Sequence, residues 1–83
     1  MLVVTEAVKV KFKETLIERS KDPEEIIRAI ISTSDPNKIE FVLSKEEEGD
    51  QVIKSEEGEK ILVIGSNLAP TLEGMVLDYQ ENF

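Results

Sequence analysis

Neither cysteine nor histidine occurs anywhere in these 83 residues, so the fold has to be held together by side-chain packing. A chain of this length forms one domain, 1–83, around one modest core. No disulfide or thiolate-bound metal can reinforce that core. The same absence limits chemistry. Thiolate and imidazole are the ligands that soft and borderline metals prefer, and they are the usual nucleophile and near-neutral acid–base groups. Ordinary zinc sites, cysteine-ligated clusters, thiol redox chemistry and serine–histidine catalysis all require residues this chain lacks.

Hydrophobic residues make up 40% of the chain and charged residues 34%, the balance of a globular protein rather than a disordered one. The longest apolar stretches, such as Ile61-Leu62-Val63-Ile64, are too short to span a bilayer. The N-terminus, Met1-Leu2-Val3-Val4-Thr5-Glu6, has neither the basic region nor the extended apolar segment of a signal peptide, so a cytoplasmic protein is expected. Acidic residues number 18 against 10 basic ones, a formal charge of −8. Such a surface repels phosphate backbones and anionic lipid. It argues against nucleic acid and membrane as partners and favours a basic or neutral protein.

Residues 5–19 fit a helix: Thr5 can cap it, Glu6 lies in the first turn, and Arg19 and Lys21 lie near its end. Val8, Phe12 and Leu16 recur every four residues as one apolar stripe. The strict alternation Val8-Lys9-Val10-Lys11-Phe12-Lys13 also fits a half-buried strand, but the continuation to Leu16 among strong helix formers favours the helix. Asp22-Pro23-Glu24-Glu25 has the form of a helix start, whereas Ile26, Ile27, Ile30 and Ile31 are β-branched and suit a strand buried on both faces. Asp35-Pro36-Asn37-Lys38 is a turn, and 39–43 follows as a strand. Two strands around that turn make a hairpin, which predicts a strand over 25–33. An acidic loop over 45–50 leads to strands at 51–55 and 60–64, joined through Gly58 in a positive-φ turn. Gly65 stops the second strand, Ser66 can cap a helical turn over 67–72 that Pro70 limits, and 75–79 is a last strand. One helix, antiparallel hairpins, a short helical turn and a final strand give an α+β layout, with the helix covering one face of a twisted sheet.

The run Gly65-Ser66-Asn67-Leu68, then Leu72-Glu73-Gly74-Met75-Val76-Leu77-Asp78-Tyr79, resembles the HesB/IscA family of A-type iron–sulfur carriers. Thr5-Glu6-Ala7 leading into a lysine-rich helix is similar to that family's opening, and Ile27-Arg28-Ala29-Ile30-Ile31 and Phe41-Val42-Leu43 to its strands. The resemblance implies a small sandwich or half-barrel of mixed and antiparallel sheets, with an N-terminal covering helix and one short helix. It also implies that 25–33 is a strand. The family's three cysteine ligands are missing. The first falls by spacing in the Ser34-Asp35-Pro36-Asn37 turn, nearest Pro36, and the sequence stops at Phe83 before the cysteine pair of the family's tail. No cluster-binding or catalytic residue carries over, and no cofactor is expected.

Glu46-Glu47-Glu48-Gly49-Asp50 and Glu56-Glu57-Gly58-Glu59 are the clusters whose carboxylates would suit a hard cation. Their ligands are contiguous rather than alternating, as a calcium loop requires, so they are expected to be solvated loops. Asp78 is expected to accept backbone hydrogen bonds, and Tyr79 to pack at the sheet edge. Gly65 and Gly74 are expected at positions of unusual φ. Ser32-Thr33-Ser34 fits turn chemistry, there being no base to activate a nucleophile.

The expected function is that of a non-catalytic, cysteine-less HesB/IscA-like domain working through its surface. It would act as an accessory or regulatory protein, with iron–sulfur or sulfur metabolism implied by the resemblance. A protein partner or a homo-oligomer is expected at an edge strand or at the exposed former ligand surface. Two alternatives are cluster assembly that handles iron weakly through carboxylates, and a small enzyme using paired carboxylates.

Overall fold

The computed structural model describes residues 2–79. The tail positions discussed above, up to Phe83, lie outside the described residues. The chain runs β1 (Val3–Val4), α1 (Glu6–Arg19), β2 (Glu25–Ile31), β3 (Ile39–Lys45), β4 (Gln51–Lys54), β5 (Lys60–Ile64), α2 (Ala69–Leu72) and β6 (Val76–Leu77). This is the expected α+β architecture: a leading helix, a short second helix, and antiparallel and parallel strand pairings.

The larger sheet has the order β3-β2-β5-β4. Two antiparallel hairpins, β2–β3 and β4–β5, are joined side by side by a parallel seam between β2 and β5. Register and strand alternation sort the side chains. Ile27 lies between Leu43 and Leu62, and Ala29 between Phe41 and Ile64. These residues share one face, and the core there is completed by Leu2, Ile53, Leu68 and Leu72. Arg28 lies on the opposite face, between Val42 and Val63. Ile61, Leu62, Val63 and Ile64 of β5 have at most 1% of their surface exposed. Burying each contributes about 2 kcal/mol.

The rival readings of 5–19 resolve to a helix. Val8 is buried, and Phe12 and Leu16 pack against the core. Thr5 occupies the N-cap but its side chain makes no cap bond. The hydroxyl instead donates to Asp78 Oδ1 at 2.8 Å, so a long-range partner displaces the expected cap. The chain then passes through Ser20-Lys21-Asp22-Pro23 into β2, as the hairpin argument requires. Asp22-Pro23-Glu24-Glu25 nevertheless makes the hydrogen bonds of a helix start. Asp22 Oδ1 accepts from the Glu24 amide at 2.9 Å, and Glu25 Oε1 accepts from the Asp22 amide at 3.1 Å. The reciprocal bonds form over one turn, and the β-branched residues that follow go into the sheet instead of prolonging a helix.

The turn at 35–38 is closed by the Lys38 amide donating to the Asp35 carbonyl at 3.0 Å. Three expectations near the C-terminus are corrected. Leu68, not Ser66, holds the N-cap of α2, and Pro70 sits in its first turn, where a missing N–H costs nothing. Gly65 does not have positive φ; a β-carbon there would lie 2.8 Å from Asn67 Oδ1, so space is what it supplies. The last strand is confined to Val76–Leu77 and pairs in parallel with β1, a pairing with no counterpart among the sequence expectations. Gly58 and Gly74 do have positive φ, at 85° and 78°.

Candidate functional site

The acidic segments are engaged with several different cations. Lys60 Nζ donates to Glu46 Oε1 at 2.6 Å, and Lys13 Nζ lies 3.1 Å from Glu57 Oε2 and 2.9 Å from Glu59 Oε1. These pairs are largely exposed, and each contributes little to stability. The Lys13 ammonium pulls the Glu59 carboxyl below its ordinary range, and the two carboxylates raise Lys13 in return. Among the described residues, no three acidic side chains gather so as to hold a metal ion.

Asp50 departs from the expected solvated loop. Its side chain is 3% exposed and receives both arms of the Arg28 guanidinium, Nη1 at 3.0 Å and Nη2 at 2.5 Å. The Glu47 amide donates to Asp50 Oδ2 at 2.7 Å. Arg28 Nη2 also donates to the Lys45 carbonyl at 2.9 Å. The guanidinium hydrogen bonds hold the Asp50 carboxyl below its ordinary range, against the opposing effect of burial. Residues 46–50, which carry the chain from β3 to β4, are thereby fastened to β2. Carboxylate and guanidinium are both spent on each other, so the arrangement is a clamp rather than an acid–base pair.

The remaining sequence candidates are structural. Ser32 is buried; its Oγ donates to Glu40 Oε1 at 2.8 Å and accepts from the amides of Ser34 and Asp35, each at 3.3 Å. The hydroxyl anchors the loop that contains Pro36. Asp78 Oδ1 accepts from the Tyr79 amide at 2.9 Å as well as from Thr5. The Lys11 ammonium lies 5.7 Å from the centre of the Tyr79 ring. Asp78 and Tyr79 therefore tie the last strand to α1.

The surface these contacts frame was not singled out by the sequence. A groove of about 480 Å³ runs between α1 and β3, with Phe12, Phe41 and Leu43 as its apolar wall and Lys11, Thr15 and Arg19 along its helical rim. The Phe12 and Phe41 rings meet at 5.0 Å between centroids and 59° between planes. Phe41 stays 39% exposed and Val42 38%. Beside the groove, β3 is an outer strand, hydrogen-bonded only to β2 among the described strands. The signal available in the sequence was the apolar alternation Ile39, Phe41, Leu43, which marks a half-buried strand but not its place at the edge.

No family model matches the chain, and the comparisons with curated proteins and with solved structures give no match either. No helix among the described residues is long and apolar enough to cross a membrane.

Proposed function

We propose that this chain is a non-catalytic protein-interaction domain, a cysteine-less HesB/IscA-like scaffold that has lost its cluster ligands and serves as an accessory or regulatory component in the cytoplasm. The observation that carries the interaction role is the pairing of an uncovered seven-residue edge strand, β3, with an apolar groove at its side. Exposed backbone donors and acceptors beside exposed aromatic and aliphatic side chains are what strand-adding partners recognise. The strand at Glu25–Ile31 supports the HesB/IscA-like descent, because a helix there would be incompatible with it. The link to iron–sulfur or sulfur metabolism rests on that descent.

Two measurements test the reading. Partner retention by the immobilised chain is expected to fall at least tenfold in Val42→Lys and Phe41→Asp, and to persist in Glu57→Gln; retention unchanged in both edge variants overturns it. Anaerobic titration with ferrous iron is expected to show no saturable binding. Saturable binding lost on replacing Glu46, Glu47 and Glu48 by Gln would favour the carboxylate iron reading instead.

A further inference from the structure

β3 is complementary to itself. A two-fold axis perpendicular to the sheet would bring the β3 strands of two copies together antiparallel while keeping each residue on its own face. Such registers are centred on a single residue. Centred on Val42, Phe41 lies opposite Leu43, Glu40 opposite Ser44, Ile39 opposite the Lys45 stem, and the flanking Lys38 opposite Glu46. Each pairing except Val42 with itself occurs twice. Centred on Leu43, the same construction sets Glu40 against Glu46. Centred on Phe41, it sets Lys38 against Ser44 and leaves the cation without an anion. Within residues 38–46, the strand and one residue on either side, only the Val42 register joins opposite charges while stacking aromatic on aliphatic, the pairs that stabilise neighbouring strands.

We infer that the occupant of the β3 edge is a second copy of this chain, paired antiparallel through Ile39–Lys45 in the register centred on Val42. The inference rests on the preceding assignment of this face as the interaction surface, and it names the partner. It also accounts for the groove. Phe41 and Leu43 lie on the α1 side of the sheet, so Phe41 of each copy packs on Leu43 of the other and the two grooves become adjacent. Glu46 already accepts from Lys60, and Glu40 from Ser32. A carboxylate retains acceptor capacity for a second cation or hydroxyl. A charge of −8 on each copy opposes association, which places the discriminating weight on the local Lys38–Glu46 pairs.

The absence of cysteine makes the test clean. Val42→Cys in the full chain is expected to form an intermolecular disulfide on mild oxidation, the two β-carbons facing one another across the axis. Sedimentation equilibrium is expected to show a dimer for the unaltered chain and a monomer for Val42→Lys with unchanged circular dichroism. Lys38→Glu and Glu46→Lys are each expected to weaken self-association roughly tenfold, because each places like charges together twice. An equimolar mixture of the two variants restores every opposite-charge pair and is expected to recover a mixed dimer. An unaltered chain that stays monomeric into the millimolar range overturns the inference. So does a dimer indifferent to Val42→Lys, or a mixture that fails to associate. A monomeric chain whose partner retention still falls in Val42→Lys would overturn the self-pairing alone and leave the interaction role intact.

Discussion

The two outer strands of the sheet are built for opposite purposes. β4 is short, spanning Gln51–Lys54, and has a register irregularity between Ile53 and Lys54. Shortness and irregularity are devices by which an edge discourages further pairing. β3 spans Ile39–Lys45 without an irregularity in its register with β2, and its centre, Phe41-Val42-Leu43, carries no charge. Both strands belong to hairpins, and both flank the same buried pair of central strands. The difference teaches that the sheet has a protected end and a receptive one, and the receptive end coincides with the apolar groove.

The clamp between these two ends is the place to break the comparison hardest. Arg28→Ala removes the cation that fastens residues 46–50 over β2 and leaves Asp50 buried without its partner. The expected loss is about 3 kcal/mol, at the low end for breaking a buried ion pair, read as a lower urea midpoint. The pH dependence follows from the same contact. The Asp50 carboxyl is depressed in the folded state, so its stabilisation is full above the unfolded-state value and is lost as pH falls through the folded one. Acid titration of stability is therefore expected to be shallower in Asp50→Asn than in the unaltered chain, with the difference confined to the acid side of the ordinary aspartate range. Equal acid slopes would show that the clamp is not coupled to folding.

Within the strands, the comparison sharpens through two truncations. Ile53 of β4 is 8% exposed and belongs to the core cluster, so Ile53→Ala is expected to cost about 2 kcal/mol. Val42→Ala on β3 is expected to cost about 0.5 kcal/mol in dilute solution, since much of that side chain already faces water. Comparable losses in chemical denaturation would mean that the two edges are equally built into the core. A gain rather than a loss is expected at Gln51, whose Oε1 is buried without a hydrogen-bond partner among the described residues. Replacing the amide by a hydrocarbon of similar length, Gln51→Met, is expected to raise stability by about 1 kcal/mol, seen as a higher melting temperature.

Local patterns carried much of this fold. The Val8, Phe12 and Leu16 stripe set the buried face of α1, and the glycine at position 58 set the β4–β5 turn. At Asp22–Glu25 the local signal was genuine, because its cap bonds form, yet tertiary pairing of the isoleucines with β3 and β5 decides the element. Elsewhere the deciding partner lay far along the chain. Asp78 captures the Thr5 hydroxyl from 73 residues away, and Arg28 reaches Asp50 across 22. β1 and β6 are two residues each, too short for any periodicity, and exist as strands only through each other. The candidate site was half legible: the alternation in β3 was visible, but its position at the sheet edge follows from the parallel seam, which no local pattern encodes.

That seam also governs how the chain reaches its fold. Each hairpin closes across its own connecting loop and can form early from neighbouring residues. The Ile27–Leu62 and Ala29–Ile64 pairings instead join segments separated by both of those loops and the residues between them. The entropy of closing that long span must be spent before either row of seam bonds gives anything back. Until it closes, the inner edges of both hairpins are as open as β3, and the isoleucines of β2 have only one neighbour. Completing the seam hides those edges and leaves β3 as the long uncovered one.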